Sequence, residues 1–124
     1  MVLRYSPLFM EPVRLQLDKL PSSNGTHLIT RLEGKLSLES VSTFLQTMRA
    51  ETTPYLILDM SGVSFLDSAG VGALVQLFVH RRNAGQNFAL AGLTQQGNAV
   101  MQVSGLLKLL PIFPSVDAAL VQHA

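Results

Sequence analysis

The sequence predicts an α/β domain: a mixed, mostly parallel sheet, opened by an N-terminal antiparallel hairpin and covered by about four helices. Three observations carry this. Asn24-Gly25 lies between two apolar-rich stretches, a strong hairpin signal because both residues tolerate positive φ. Leu56-Ile57-Leu58 and Phe88-Ala89-Leu90-Ala91 are uninterrupted apolar runs, as in strands covered on both faces. Around them, apolar residues recur at helical spacing, and alternating strands and helices require parallel pairing.

The elements follow in chain order. Residues 1–12 hold two prolines and no period, which predicts an extended lead-in before a domain at 13–124. Val13 to Asp18 alternates apolar and polar, the period of a half-buried strand. Thr26 to Glu33 gives the hairpin's second strand, across Pro21-Ser22-Ser23-Asn24-Gly25. Asn24-Gly25-Thr26 matches a glycosylation sequon and is read as a turn. Leu38, Val41, Phe44, Leu45 and Met48 predict a helix over 39–50, stopped by Thr52-Thr53-Pro54.

Tyr55 to Asp59 is the expected central strand, followed by a turn holding Ser61 and Ser64. Val71, Leu74, Val75, Phe78 and Val79 then fit one face of a helix over 69–82, with Gln76, His80 and Arg81 opposite and Gly85 behind its end. Asn87 to Leu93 is the next strand. A helix over 96–104 uses Ala99, Val100 and Val103, with Met101, like Met48, filling core gaps. Leu109 to Phe113 is a short strand. Ser115 caps a last helix whose inner face is Val116, Ala119 and Leu120.

Composition narrows the function. The 124 residues are 48% apolar and 14% charged, enough for one core and unlike a disordered chain. A net charge of +1 with no basic stripe argues against nucleic acid. No cysteine leaves no disulfide, zinc finger or thiol chemistry and suits a reducing cytoplasm. No apolar run reaches the roughly 18–20 residues of a membrane span, so no membrane insertion is expected. His27, His80 and His123 lack metal spacing, and Gly70-Val71-Gly72 lacks the third glycine of a dinucleotide fingerprint. No acid–base or nucleophile–base pair is visible. The sequence predicts no metal, no cofactor and no enzyme.

The informative stretch is 55–72. An apolar strand leads through a turn into Asp67-Ser68-Ala69-Gly70, where a helix begins. Read alone, Asp67-Ser68 is an N-cap, satisfying backbone N–H groups that a helix start leaves unpaired. The same place presents the Ser68 hydroxyl beside a carboxylate and two glycines. Glycine lets another backbone approach closely. A phosphate there would bring about −1.5 to −2 charges to a surface that packs well when neutral.

Leu58-Asp59-Met60-Ser61-Gly62-Val63-Ser64-Phe65-Leu66-Asp67-Ser68-Ala69-Gly70-Val71-Gly72 resembles the STAS domain signature, and the resemblance extends over about residues 13–122. It is most similar to stand-alone bacterial anti-sigma factor antagonists. The resemblance implies a small α/β domain that, unmodified, binds an anti-sigma factor that is also a serine kinase, so that a sigma factor is freed. It implies Ser68 as phospho-acceptor, with a phosphatase to reverse the step. Asp67, Ala69, Gly70, Val71 and Gly72 would meet the partner, and Asp59, at the strand end, would support them. Two positions depart from the pattern. Gly34-Lys35-Leu36-Ser37 has serine where many antagonists carry aspartate, and Ala69 stands where a second hydroxyl often lies. The alternative implied by the same resemblance is an adaptor bound to the ATPase of a lipid-transport ABC system, with no phosphorylation.

Overall fold

A computed structural model describes residues 15–122. Its elements are β1 (Leu15–Pro21), β2 (His27–Leu36), α1 (Val41–Arg49), β3 (Tyr55–Leu66), α2 (Ser68–Asn83), β4 (Asn87–Ala91), α3 (Gln95–Val103), β5 (Ile112–Phe113) and α4 (Val116–Gln122). The expected lead-in at 1–12, the first two residues of the expected first strand, and His123 lie outside the described residues.

The five strands lie in the order β1-β2-β3-β4-β5. β1 and β2 are antiparallel, and every later pairing is parallel. The hairpin forms where Asn24-Gly25 predicts it. Gly25 has φ 72°, and the Asn24 amide oxygen accepts from Ser22 Oγ and from the N–H and Oγ1 of Thr26. The alternation of β2 sends Leu28, Thr30 and Leu32 to one face, where they join Leu56, Leu58, Phe88 and Leu90 beneath α1, α2 and α3. The other face carries Tyr55, Ile57, Ala89 and Ala91 beneath α4. Tyr55 is fixed there by donating its hydroxyl to the Ala119 carbonyl at 2.7 Å, and burial raises its pKa.

Three expectations are corrected. First, β3 does not turn after Asp59. It runs on to Leu66, with Ser61 and Ser64 in the strand, paired to β2 through two register shifts. Gly62 permits this, since a Cβ would sit 2.6 Å from the Leu32 carbonyl oxygen. Ser and Gly in this tail mimic a turn, but Met60, Val63 and Leu66 bury into the core.

Second, the buried stripe of α2 is Gly70, Val71, Ala73, Leu74, Leu77 and Arg81, while Val79 is exposed. The helix is apolar around most of its girth, so spacing alone cannot choose its inner side. Arg81, expected on the polar face, is 0% exposed. Its guanidinium donates to the carbonyls of Asn87, Glu51 and Thr53, tying the end of α2 to the chain entering β3 and β4. Burial lowers its pKa, and the nearby Glu51 opposes that shift. Third, α3 buries Gly97 and Met101, and Ala99 and Val103 face solvent. Its start is capped by Thr94, whose Oγ1 accepts from Gly97 N–H at 3.1 Å.

Candidate functional site

Three chain segments meet where β3 passes into α2: the end of β2, the β3–α2 junction and the start of α3. Asp67 has extended dihedrals (φ −110°, ψ −177°), which turn the chain from strand to helix. Its carboxylate has two internal partners. Oδ1 accepts from Gly70 N–H at 2.8 Å, the capping bond. Oδ2 accepts from Leu38 N–H at 3.1 Å, in the β2–α1 loop. One side chain therefore satisfies an orphan helix donor and pins a loop 29 residues away in sequence.

Gln96 does the same from the other side. Its Nε2 donates to Leu66 C=O at 2.8 Å, and its Oε1 accepts from Leu66 N–H at 3.0 Å. This amide completes the hydrogen bonding of the last strand residue. Nothing in the local sequence marks Gln96 for the role, because its partner is 30 residues distant. Ser40 secures the β2–α1 loop, its Oγ donating to Lys35 C=O at 2.8 Å and accepting from Ser37 N–H at 3.0 Å. Ser37 itself, the departure from the family pattern, is buried and its Oγ has no partner among the described residues.

Against this scaffold the expected site residues separate. Ser68 is the first residue of α2, is exposed, and its Oγ is engaged by nothing among the described residues. Ala69 and Gly72 are half-buried, and the space where a Gly72 Cβ would stand is open. Gly70 and Val71 are buried and turn inward, contrary to a role on the outer surface. Gly70 is required by the fold: a Cβ there would overlap the Leu36 carbonyl oxygen and lie 2.8 Å from Leu66 Cδ1. Its absent side chain serves an approach within the chain.

Asp59 is not at the strand end. It pairs in register with Arg31, whereas Leu66 pairs with Leu36. Five residue steps of β2, at about 3.3 Å each, put it roughly 16 Å short of the helix. That exceeds the Debye length of about 10 Å, so its charge is largely screened from Ser68. Its Oδ1 instead accepts from the N–H and Oγ of Ser61, at 3.1 and 2.7 Å. Two exposed apolar side chains are absent from the expected set: Phe65 (42% exposed), two residues before Asp67, and Leu38 (72%), in the β2–α1 loop. Phe65 lies within the signature stretch, whereas Leu38 is brought in by the Asp67 bond.

The sequence profile of the family described as "STAS domain" matches residues 19–119, four-fifths of the chain. The chain belongs to the STAS domain family. This STAS domain is 23% identical over 99 residues to an anti-sigma F factor antagonist of Paenibacillus polymyxa, spanning 77% of this chain and 85% of the relative. Its fold matches the crystal structure of an anti-sigma factor antagonist from Mycobacterium paratuberculosis with a TM-score of 0.77 and 20% identity, covering 87% of this chain and 92% of the other. It also matches the antagonist SpoIIAA in its unphosphorylated form, with a TM-score of 0.69 and 20% identity over 87% and 94% of the two chains. The order of strands and helices expected from the sequence is therefore the STAS order. Among the described residues, no helix is long and apolar enough to cross a membrane.

Proposed function

We propose that this STAS domain is a cytoplasmic anti-sigma factor antagonist and that Ser68 is its switch. Unmodified, it binds an anti-sigma factor that is also a serine kinase, and a sigma factor is thereby released to direct transcription. Phosphorylation of Ser68 breaks the complex, and a phosphatase restores it. The role is one of binding, with the chemistry supplied by the kinase.

The observation that carries this reading is the contrast between Ser68 and its neighbours. Asp67, Gly70 and Val71 are committed to the fold, whereas Ser68 is exposed and its hydroxyl has no partner among the described residues. A kinase can reach it without unfolding anything. The helix start favours a phosphate by about 0.3–1 kcal/mol, and the neighbouring Asp67 carboxylate opposes it. Ser68 has no hydrogen-bond partner among the described residues to lose, so the modified domain keeps its structure. The consequence falls on the partner. Ser68, Ala69 and Gly72, with the exposed Leu38 held beside Asp67, offer uncharged side chains, and a phosphate must be stripped of water to stay in contact with them. A loss of only about 1.4 kcal/mol in the complex is already tenfold in affinity.

The test starts from the kinase that co-purifies with the unmodified chain. Mixed with it and ATP, the wild-type chain should gain one phosphate by intact mass, mapped to Ser68. Ser68→Ala should gain none and still bind, and Ser68→Asp should bind at least about tenfold more weakly. A kinase that held all three chains equally tightly would refute the switch. Capture of an ATP-binding transport subunit in its place would favour the adaptor reading.

A further inference from the structure

The loop between β2 and α1 carries a leucine that the fold neither buries nor leaves free to move. Leu38 is 72% exposed. A loose loop would fold such a side chain inward, because apolar area in water is unfavourable. This loop is tied on both sides of the leucine. Leu38 N–H donates to Asp67 Oδ2 at 3.1 Å, and Asp67 N–H donates to Leu36 C=O at 3.4 Å. Ser37 N–H donates to Ser40 Oγ at 3.0 Å, and Ser37 C=O accepts from the N–H groups of Ser40 and Val41 at 2.9 and 3.0 Å. Ser40 Oγ donates to Lys35 C=O at 2.8 Å. The backbone around Leu38 is therefore fixed, and the side chain is held out beside the start of α2.

The charges near this leucine are engaged elsewhere. Ser37, where many antagonists carry aspartate, is 3% exposed, so it offers neither a charge nor an accessible hydroxyl. Both oxygens of Asp67 accept from backbone N–H groups of this chain. Glu39, next along, is exposed but is not without a partner. What the loop presents beside Ser68 is an apolar side chain on a rigid backbone. A rigid apolar side chain loses little freedom when a second protein covers it, and its area leaves water.

We infer, resting on the antagonist role proposed for this domain, that Leu38 is the apolar anchor of the complex and that the anti-sigma factor kinase receives it in an uncharged pocket next to the site that reaches Ser68. Asp67 is a positioning residue. It acts by holding Leu38 N–H, so that the leucine is presented in one pose. Partner choice follows from the same contact. A kinase that offers a cation to this loop must desolvate that charge against leucine, and is rejected.

The kinase captured by the wild-type chain, once purified, would be titrated calorimetrically with full-length variants. Leu38→Ala should bind at least about tenfold more weakly, and Leu38→Met should stay within about threefold of wild type. Leu38→Asp should bind more weakly still than Leu38→Ala. Because the side chain is exposed, Leu38→Ala and Leu38→Met should unfold at the wild-type urea midpoint. Asp67→Asn separates the two bonds of Asp67: its oxygen can still cap Gly70, while its amide nitrogen cannot accept from Leu38 N–H. It should weaken binding about three- to tenfold in the wild-type chain and less than about twofold in Leu38→Ala. Wild-type affinity in Leu38→Ala, for a kinase that does phosphorylate Ser68, would overturn the anchor and leave the switch standing. No phosphate on Ser68 would overturn the antagonist role and the anchor with it. Leu38→Asp binding as tightly as Leu38→Ala, or a larger loss from Glu39→Gln than from Leu38→Ala, would make the contact ionic and overturn the uncharged pocket. An equal loss from Asp67→Asn with and without Leu38 would overturn the positioning role. A wild-type chain that sediments as a dimer, with Leu38→Ala a monomer, would give the leucine to a second copy of this chain and overturn the proposal likewise.

Discussion

The two ends of α2 follow one electrostatic rule and reach opposite results. At its start an anion, Asp67, faces the positive end of the helix; at its finish a cation, Arg81, stands near the negative end. Asp67 remains half-buried, and the residue beside it is exposed. Arg81 is sealed from water with carbonyls of three residues around its guanidinium. Complementing the dipole therefore does not decide whether a helix end is a display or an anchor. That is decided by how many other chain segments close over it. Segments leading into β3 and β4 close over Arg81. At the start of α2, Leu36, Leu38 and Gln96 surround Asp67 and Leu66 but leave Ser68 open.

Substitutions at the two ends should sharpen the contrast. Arg81→Met should have the largest effect, about 3–5 kcal/mol, since it leaves buried carbonyls without donors; the measurement is the urea midpoint of unfolding. Gly70→Ala should follow at about 2–3 kcal/mol, because the added methyl overlaps a backbone carbonyl that cannot swing away. A Gly70→Ala chain as stable as wild type would show that the close approach is not needed. Asp67→Ala should cost about 1–2 kcal/mol through loss of the cap and release of Leu38 N–H. Amide exchange should quicken at Gly70 and Leu38 together, and quickening at only one would separate the two bonds. Ser68→Ala should change stability by less than about 0.5 kcal/mol, while abolishing phosphate incorporation. A large stability loss there would place Ser68 among the anchors.

The sequence conveyed the order of elements and the place of the junction, because both rest on local signals: the Asn24-Gly25 turn, the two apolar strands and the Asp67 cap. It failed where a distant residue decides the outcome. Val79 and Arg81 exchanged inner and outer roles because the helix offered apolar residues on nearly every side. The tail of β3 looked like a turn until β2 was beside it to supply the pairing, with Gly62 making room. At the site, capping by Asp67 was legible, and so was the exposed Ser68. The inward turn of Gly70 and Val71 was not, since glycine in a sequence does not say which neighbour comes close. The removal of Asp59 from the site followed from the longer strand.

The grip of Gln96 on Leu66, together with that of Asp67 on Leu38, has a consequence for quality control. The surface around Ser68 is assembled from residues some 30 positions apart on either side, so it does not exist in a nascent, truncated or melted chain. An enzyme that reads this surface rather than a linear motif would ignore such copies, and only finished molecules would enter the signalling cycle.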